Sequence, residues 1–161
     1  VGSEMCIRDR DKSIPLVGQN IPAKLFSEAF KVFAFDALIQ NPDRRPEKPN
    51  LFITGSEIIV FDHEMAFSFL NLILPPSEPW LLSGESYLRG HLFYRELKGA
   101  SVDFAGLRDL LSGISDGELE VMFDLIPQAW MGSFLNPMLV HIKGVRDNSD
   151  LFINELRSLL I

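Results

Sequence analysis

The sequence predicts a mainly α-helical domain with one β-hairpin, on three observations. Apolar residues recur at three- and four-residue spacing from Leu25 to Leu38, and again from Leu151 to Leu160, as the buried stripe of a helix requires. Leu51 to Thr54 and Glu57 to Phe61 are short β-branched and aromatic runs parted by Gly55-Ser56, the pattern of a tight hairpin. The chain has 161 residues, 47% of them hydrophobic and 13 of them Phe, which suffices for one buried core and argues against disorder.

The elements follow in order. Residues 11–22, with Pro15, Gly18 and Pro22, read as an irregular lead-in. A helix is expected from Ala23 to about Gln40, its face formed by Leu25, Phe26, Ala29, Phe30, Phe33, Ala34, Ala37 and Leu38; Asn41-Pro42 ends it, because a residue before proline is biased away from helical angles. Residues 41–50 form a polar loop and 51–61 the hairpin. Met65 to Leu74 is either a short apolar helix or an irregular core segment, closed by Pro75-Pro76 and Pro79. Helices are then expected over about Ser86–Leu97, Val102–Leu111, Asp116–Leu125, Asn136 or Pro137 to Gly144, and Ser149–Leu160. Ser115 and Glu118 have the spacing of a capping box, and Ser149 is placed to cap the last helix. There is no internal repeat or low-complexity tract, so residues 23–161 are read as one unit.

Composition narrows the function. The formal charge is −7, which gives little general support for a phosphate-backbone partner, so no nucleic-acid partner is expected. Met65 to Leu74 is about half the length needed to span a bilayer, and no membrane partner is expected. One cysteine, Cys6, leaves no disulfide framework, and His63, His91 and His141 lie too far apart in sequence to suggest a His-based metal site. Residues 1–10, Val-Gly-Ser-Glu-Met-Cys-Ile-Arg-Asp-Arg, resemble the translation of sequencing-adapter DNA at the edge of an assembled read, and are expected not to belong to the natural protein. Without Arg8, Arg10, Glu4 and Asp9 the chain keeps 13 basic and 20 acidic residues and no cysteine. A cysteine-free remainder without a signal peptide fits the cytoplasm.

The chemistry lies in two stretches: Phe35-Asp-Ala-Leu-Ile-Gln-Asn-Pro-Asp-Arg-Arg-Pro-Glu-Lys-Pro-Asn-Leu-Phe-Ile, then Ile59-Val-Phe-Asp-His-Glu-Met-Ala-Phe. A hairpin brings its ends together, so Asn50 and Asp62 should lie side by side with the Asp43 loop next to them. Two carboxylates and an amide carbonyl make a hard-oxygen site suited to Mg²⁺, which favours one or two carboxylates plus substrate phosphate oxygens. Phosphoryl transfer uses such a set, with one Asp orienting the attacking hydroxyl and an Asn and a second Asp holding metal. Taken alone, Asp43 reads as a turn residue after Asn-Pro and Asp62 as a strand-end cap.

These residues resemble the catalytic region of HipA-like kinases, in particular a small HipA-like kinase-domain family whose loop reads roughly Asn-Pro-Asp-Arg-x-x-x-Asn-Pro-Asn-Leu and whose next strand ends in Ile-Asp-His. A more distant similarity is to the catalytic loop and Asp-Phe-Gly motif of protein, phosphoinositide and aminoglycoside kinases. The resemblance is concentrated between Phe33 and Phe67. It implies the C-terminal lobe of a protein-kinase-like α+β fold over residues 23–161, with ATP and Mg²⁺ as cofactors and γ-phosphate transfer to a hydroxyl, expected to be a protein Ser or Thr. Asp43 takes the catalytic role, and Asn50 and Asp62 the metal-ligand roles. Lys48 stands where such kinases usually place the metal-ligand Asn, five residues beyond the catalytic Asp, and Arg45 stands where a related kinase often has His. Arg44 is expected to steady the loop by pairing with a carboxylate, His63 to order it, and Glu64 to be an additional carboxylate near the metal. Asp36 is expected to make a local hydrogen bond, His91 and His141 to lie at the surface or at helix ends, and Trp80, Trp130 and the phenylalanines to fill the core.

A Gly-rich phosphate loop and a strand lysine, the other half of a kinase nucleotide site, have no counterpart before Asp43. The expectation is a C-terminal lobe whose N-terminal lobe was lost with the read, inactive by itself. Two alternatives remain: a non-catalytic helical interaction module or pseudokinase, and a small-molecule phosphotransferase.

Overall fold

The computed structural model describes residues 21–72, 77–82, 84–127 and 132–161, together with the backbone of Ile14–Pro15. Residues 1–10, most of the lead-in, residues 73–76 and Trp130 lie outside the described residues, and with them the expectations placed there. The described part is mainly helical, with an antiparallel hairpin near its start. No described helix is long and apolar enough to cross a membrane.

A 3-10 turn at Ala23–Leu25 leads into α1, Phe26–Leu38. The helix is buried on more than the expected stripe: Ala29, Phe30, Phe33, Ala34 and Ala37 are joined by Val32 and by Asp36. It ends two residues before the expected Gln40. Gln40 takes a left-handed conformation (φ 47°), its N–H donating to the Ala37 carbonyl while the Asn41 N–H reaches back to Asp36. That pair of bonds is a Schellman stop, which satisfies the last carbonyls without help from Pro42.

Strands β2 (Leu51–Thr54) and β3 (Glu57–Val60) form the expected hairpin, with Leu51 opposite Val60 and Thr54 opposite Glu57. Gly55 turns the chain at φ 62°, a backbone conformation that glycine adopts without penalty. The lead-in is not wholly irregular. Its Ile14–Pro15 forms an edge strand, β1, antiparallel to β2, so the sheet has three strands in the order β1-β2-β3. Two residues are too few to show a period-two pattern, and an edge position accommodates a proline that cannot donate.

Beyond the sheet, Met65 to Leu72 is irregular, with one 3-10 turn at Ser68–Asn71. Phe67 enters a left-handed conformation, and the Phe67 and Ser68 amides hydrogen-bond the Ile39 and Gln40 carbonyls, docking this segment on the end of α1. The single helix expected over Ser86–Leu97 is two pieces, a 3-10 turn at Ser86–Gly90 and the short α2, Tyr94–Leu97. The break falls at His91, which turns inward to Asp36, while the Leu92 amide donates to the Arg44 carbonyl.

α3 spans Phe104–Ser112, capped by Asp103, whose side chain accepts from the Gly106 amide. α4 spans Asp116–Asp124 and starts with the expected Ser115–Glu118 capping box, both reciprocal bonds made. α5 is longer than expected, Leu135–Asp147. α6 spans Ser149–Leu160, but Ser149 is its buried first residue and not its cap; Asn148 alone separates it from α5 and donates its side-chain amide to the Gly144 carbonyl.

One hydrophobic core joins α1 (Phe30, Phe33), α6 (Phe152, Leu156, Leu160), Leu97 of α2, Leu51 of β2 and Val145 of α5. Trp80 packs against this core, partly buried. His141 is buried as well, against expectation. Its ring stacks on Phe69 at 4.6 Å and its Nε2 donates to the Leu38 carbonyl, 2.7 Å away. A carbonyl that the end of α1 leaves free thus finds its donor 103 residues away.

Candidate functional site

The site grows from the end of α1. Asn41 accepts the Asp43 amide on its side-chain oxygen (3.3 Å), an Asx turn that lifts Asp43 out of the helix direction. Arg45-Pro46-Glu47-Lys48 follows as a β-turn, the Lys48 amide donating to the Arg45 carbonyl (3.0 Å), with proline in its favoured second position. The Arg45 amide donates back to the Lys48 carbonyl at 3.2 Å, so Lys48 returns alongside the residues that precede the turn. The Phe61 amide donates to the Asn50 carbonyl at 3.0 Å, which extends the β2–β3 ladder by one bond and sets Asp62 next to Asn50. Asn50 and Asp62 both have left-handed backbones, at φ 48° and 56°. Asn and Asp tolerate that conformation better than most residues, and such positions gather at functional sites.

Beneath the loop lies a buried ionic network. Arg44 and Asp36 have fully buried side chains and form a two-pronged pair, Nε to Oδ2 and Nη2 to Oδ1. Arg44 Nη1 also donates to the carbonyls of Pro49 (3.2 Å) and Asn50 (2.7 Å), and so ties α1 to the base of the hairpin. Asp36 further accepts from Asn41 Nδ2 (2.9 Å) and from His91 Nε2 (3.0 Å). The Phe93 amide donates to His91 Nδ1, so the ring is neutral with its proton on Nε2. Burial pushes the His91 pKa down, with Asp36 opposing. Burial pushes the Asp36 carboxyl up, but hydrogen bonds from His91 and Arg44, with the Arg44 charge, outweigh it and hold the group below the usual carboxylate range. His63 Nε2 lies 3.1 Å from Arg44 Nη2, a group that can only donate, so this nitrogen is the acceptor. Burial first and the Arg44 charge second lower its pKa.

Above that network, closer to solvent, Asp43, Asp62 and Glu64 each bring a carboxylate oxygen within 4.8 Å of the others. Lys48 Nζ sits among them, 2.6 Å from Asp43 Oδ2, 3.5 Å from Asp62 Oδ2 and 3.6 Å from Glu64 Oε1. Its hydrogen bond to Asp43 raises its pKa, followed by the charges of Asp43 and Asp62, so at neutral pH it is an ammonium. Arg45 reaches the other Asp43 oxygen at 3.4 Å, and Asn50 Nδ2 lies 3.4 Å from Asp43 Oδ2, which leaves the Asn50 side-chain carbonyl as its acceptor. By donor chemistry the three carboxylates and this amide fit a hard divalent cation such as Mg²⁺. The ammonium meets the same carboxylates.

The catalytic, metal-ligand and neighbouring candidates from the sequence therefore meet here: Asp43, Asn50, Asp62, Lys48 and Glu64 in the upper cluster, Arg44 and His63 in the lower. Two assignments change. Asp36 does more than form a local hydrogen bond, since it is the shared acceptor of Asn41, Arg44 and His91; and His91 is buried beneath the loop. Asp36 carried a signal in sequence, because it falls three residues after Phe33 and seven after Ala29 on the apolar stripe, where only a partnered carboxylate can be buried. His91 carried none, being 55 residues from its partner. Comparison of the chain with protein-family models, curated proteins and solved structures finds no match.

Proposed function

We propose that this chain is the C-terminal lobe of an ATP- and Mg²⁺-dependent kinase of the HipA-like kind, transferring a γ-phosphate to a hydroxyl of a protein Ser or Thr. The observation that carries the reading is the convergence of Asp43, Asn50 and Asp62 at the base of one hairpin, the last two on left-handed backbone. In this reading Asp43 orients the acceptor hydroxyl and takes its proton as the oxygen–phosphorus bond forms and the bond to the ADP oxygen breaks. Asn50 and Asp62 would hold Mg²⁺, with Glu64 beside them; bound there, the ion would neutralise charge on the phosphate oxygens. Arg44 and Asp36 act one layer below, holding the Asp43 loop and the Asn50 carbonyl in a fixed relation.

The test is phosphoryl transfer from ATP by the complete gene product. Asp43→Ala is expected to lower turnover by about a hundredfold or more, the range for loss of a positioned base, with folding intact by circular dichroism. Unchanged turnover would remove the assignment. A second reading, a non-catalytic pseudokinase lobe, has one observation in its favour: cations already engage both Asp43 oxygens. Wild-type turnover no greater than the enzyme-free background, with the protein folded, selects it.

A further inference from the structure

Lys48 stands out within the loop. Its side chain is 41% exposed, yet its ammonium turns back onto three carboxylates and pairs with no other acidic group among the described residues. The turn through Pro46 delivers it there, since the Arg45–Lys48 backbone bonds return the chain beside Asp43. An ammonium is a compact point charge with three donors, and here three carboxylates converge on it. Without it, Asp43, Asp62 and Glu64 would place three like charges within 4.8 Å, with Arg45 the remaining cation and paired to Asp43 alone among the three. Like charges that close repel, and a cation placed among them relieves the repulsion.

Resting on the reading above, we propose that Lys48 is a built-in counter-cation that competes with a divalent metal for Asp43, Asp62 and Glu64. The Arg45–Lys48 turn then regulates metal loading of the site. Metal enters as the ammonium leaves, and Asp43 gives up its tight partner in the same event. A flexible four-carbon stem that is 41% exposed lets the ammonium move out into water without disturbing packed residues. By contrast, Arg44 is locked by five hydrogen bonds and cannot play this part.

The test is Mn²⁺ binding to the chain, read as free Mn²⁺ by electron paramagnetic resonance, so no phosphoryl transfer is needed. Lys48→Asn and Lys48→Met are expected to bind Mn²⁺ about tenfold tighter than wild type, the scale of removing one unit charge near the metal. Lys48→Arg keeps the charge and should stay near wild type. In chelator at low salt, Lys48→Met is expected to melt below wild type, and Mn²⁺ to restore it. Equal affinity in wild type, Lys48→Asn and Lys48→Met overturns the inference. If Asp62→Asn abolishes that common affinity, the metal-binding reading of the site survives. Absence of Mn²⁺ binding in all of them, with every variant folded, overturns both.

Discussion

Two ionic clusters lie within a few residues of each other, and they obey different physics. Arg44, Asp36 and His91 have side chains exposed by no more than 1%, whereas Lys48, Asp62 and Glu64 are 41%, 34% and 69% exposed. In the buried cluster every charge has given up its water, so geometry must compensate, and it does: two-pronged pairing, two backbone carbonyls, a neutral imidazole of fixed tautomer. In the upper cluster Asp43 is 10% exposed, but the groups that meet it stand in water, which with salt screens their charges and lets those partners exchange. The lower cluster therefore holds the loop in place, and the upper one can change its occupants.

The strongest way to break the contrast is to remove one partner below. Asp36→Asn strands a buried guanidinium and is expected to cost roughly 3–5 kcal/mol in denaturant unfolding, as other broken buried pairs do. Asp36→Asn combined with Arg44→Met should cost less than the two singles added, because they share the interaction. A loss under about 1 kcal/mol, the range of an exposed pair, would mean that the cluster is not held as described.

An intermediate effect comes from acid. The unfolded chain binds a proton on each histidine below about pH 6.5, whereas the folded pKa of His91 is lowered by burial. Between those two values the unfolded state holds more protons, so stability falls as pH drops, by up to about 1.4 kcal/mol per pH unit for each such group. Asp36, lowered by its partners, adds stability above about pH 3.9 that disappears as pH falls through its folded value. His91→Gln is expected to flatten the decline below about pH 6.5 by about one proton's share; an unchanged slope in urea titrations would contradict a buried neutral His91.

The smallest effect belongs to the upper cluster. Whatever difference in melting temperature separates Lys48→Met from wild type at low salt should vanish at about 1 M salt, where the screening length is shorter than the cluster. The loss caused by Asp36→Asn should persist there. A salt-independent Lys48→Met effect would erase the distinction between the clusters.

Much of the upper cluster was legible because it is local. Hairpin closure sets Asn50 beside Asp62, the Asn41-Pro42 turn places Asp43 next to them, and the capping box before α4 rests on a four-residue pattern. The lower cluster was half legible. Arg44 was read as a loop support, but its partner Asp36 lay eight residues back on a helix and was read as making only a local bond. The displaced boundaries have two origins: α1 stops early through local backbone bonds at Gln40, whereas the helix expected over Ser86–Leu97 breaks where His91 must reach Asp36, 55 residues away.

The sequence by itself determined the helical class, the hairpin and the meeting of Asp43, Asn50 and Asp62, because periodicity and turn chemistry act over a few residues. Only the tertiary structure decided that Asp36 and His91 lie under the loop, that His141 closes the end of α1, and that Ile14–Pro15 joins the sheet. Burying a charge or leaving a backbone carbonyl unpaired is costly wherever it occurs. The groups that remove that cost come from whatever part of the chain packing brings within reach, and no local pattern marks them in advance.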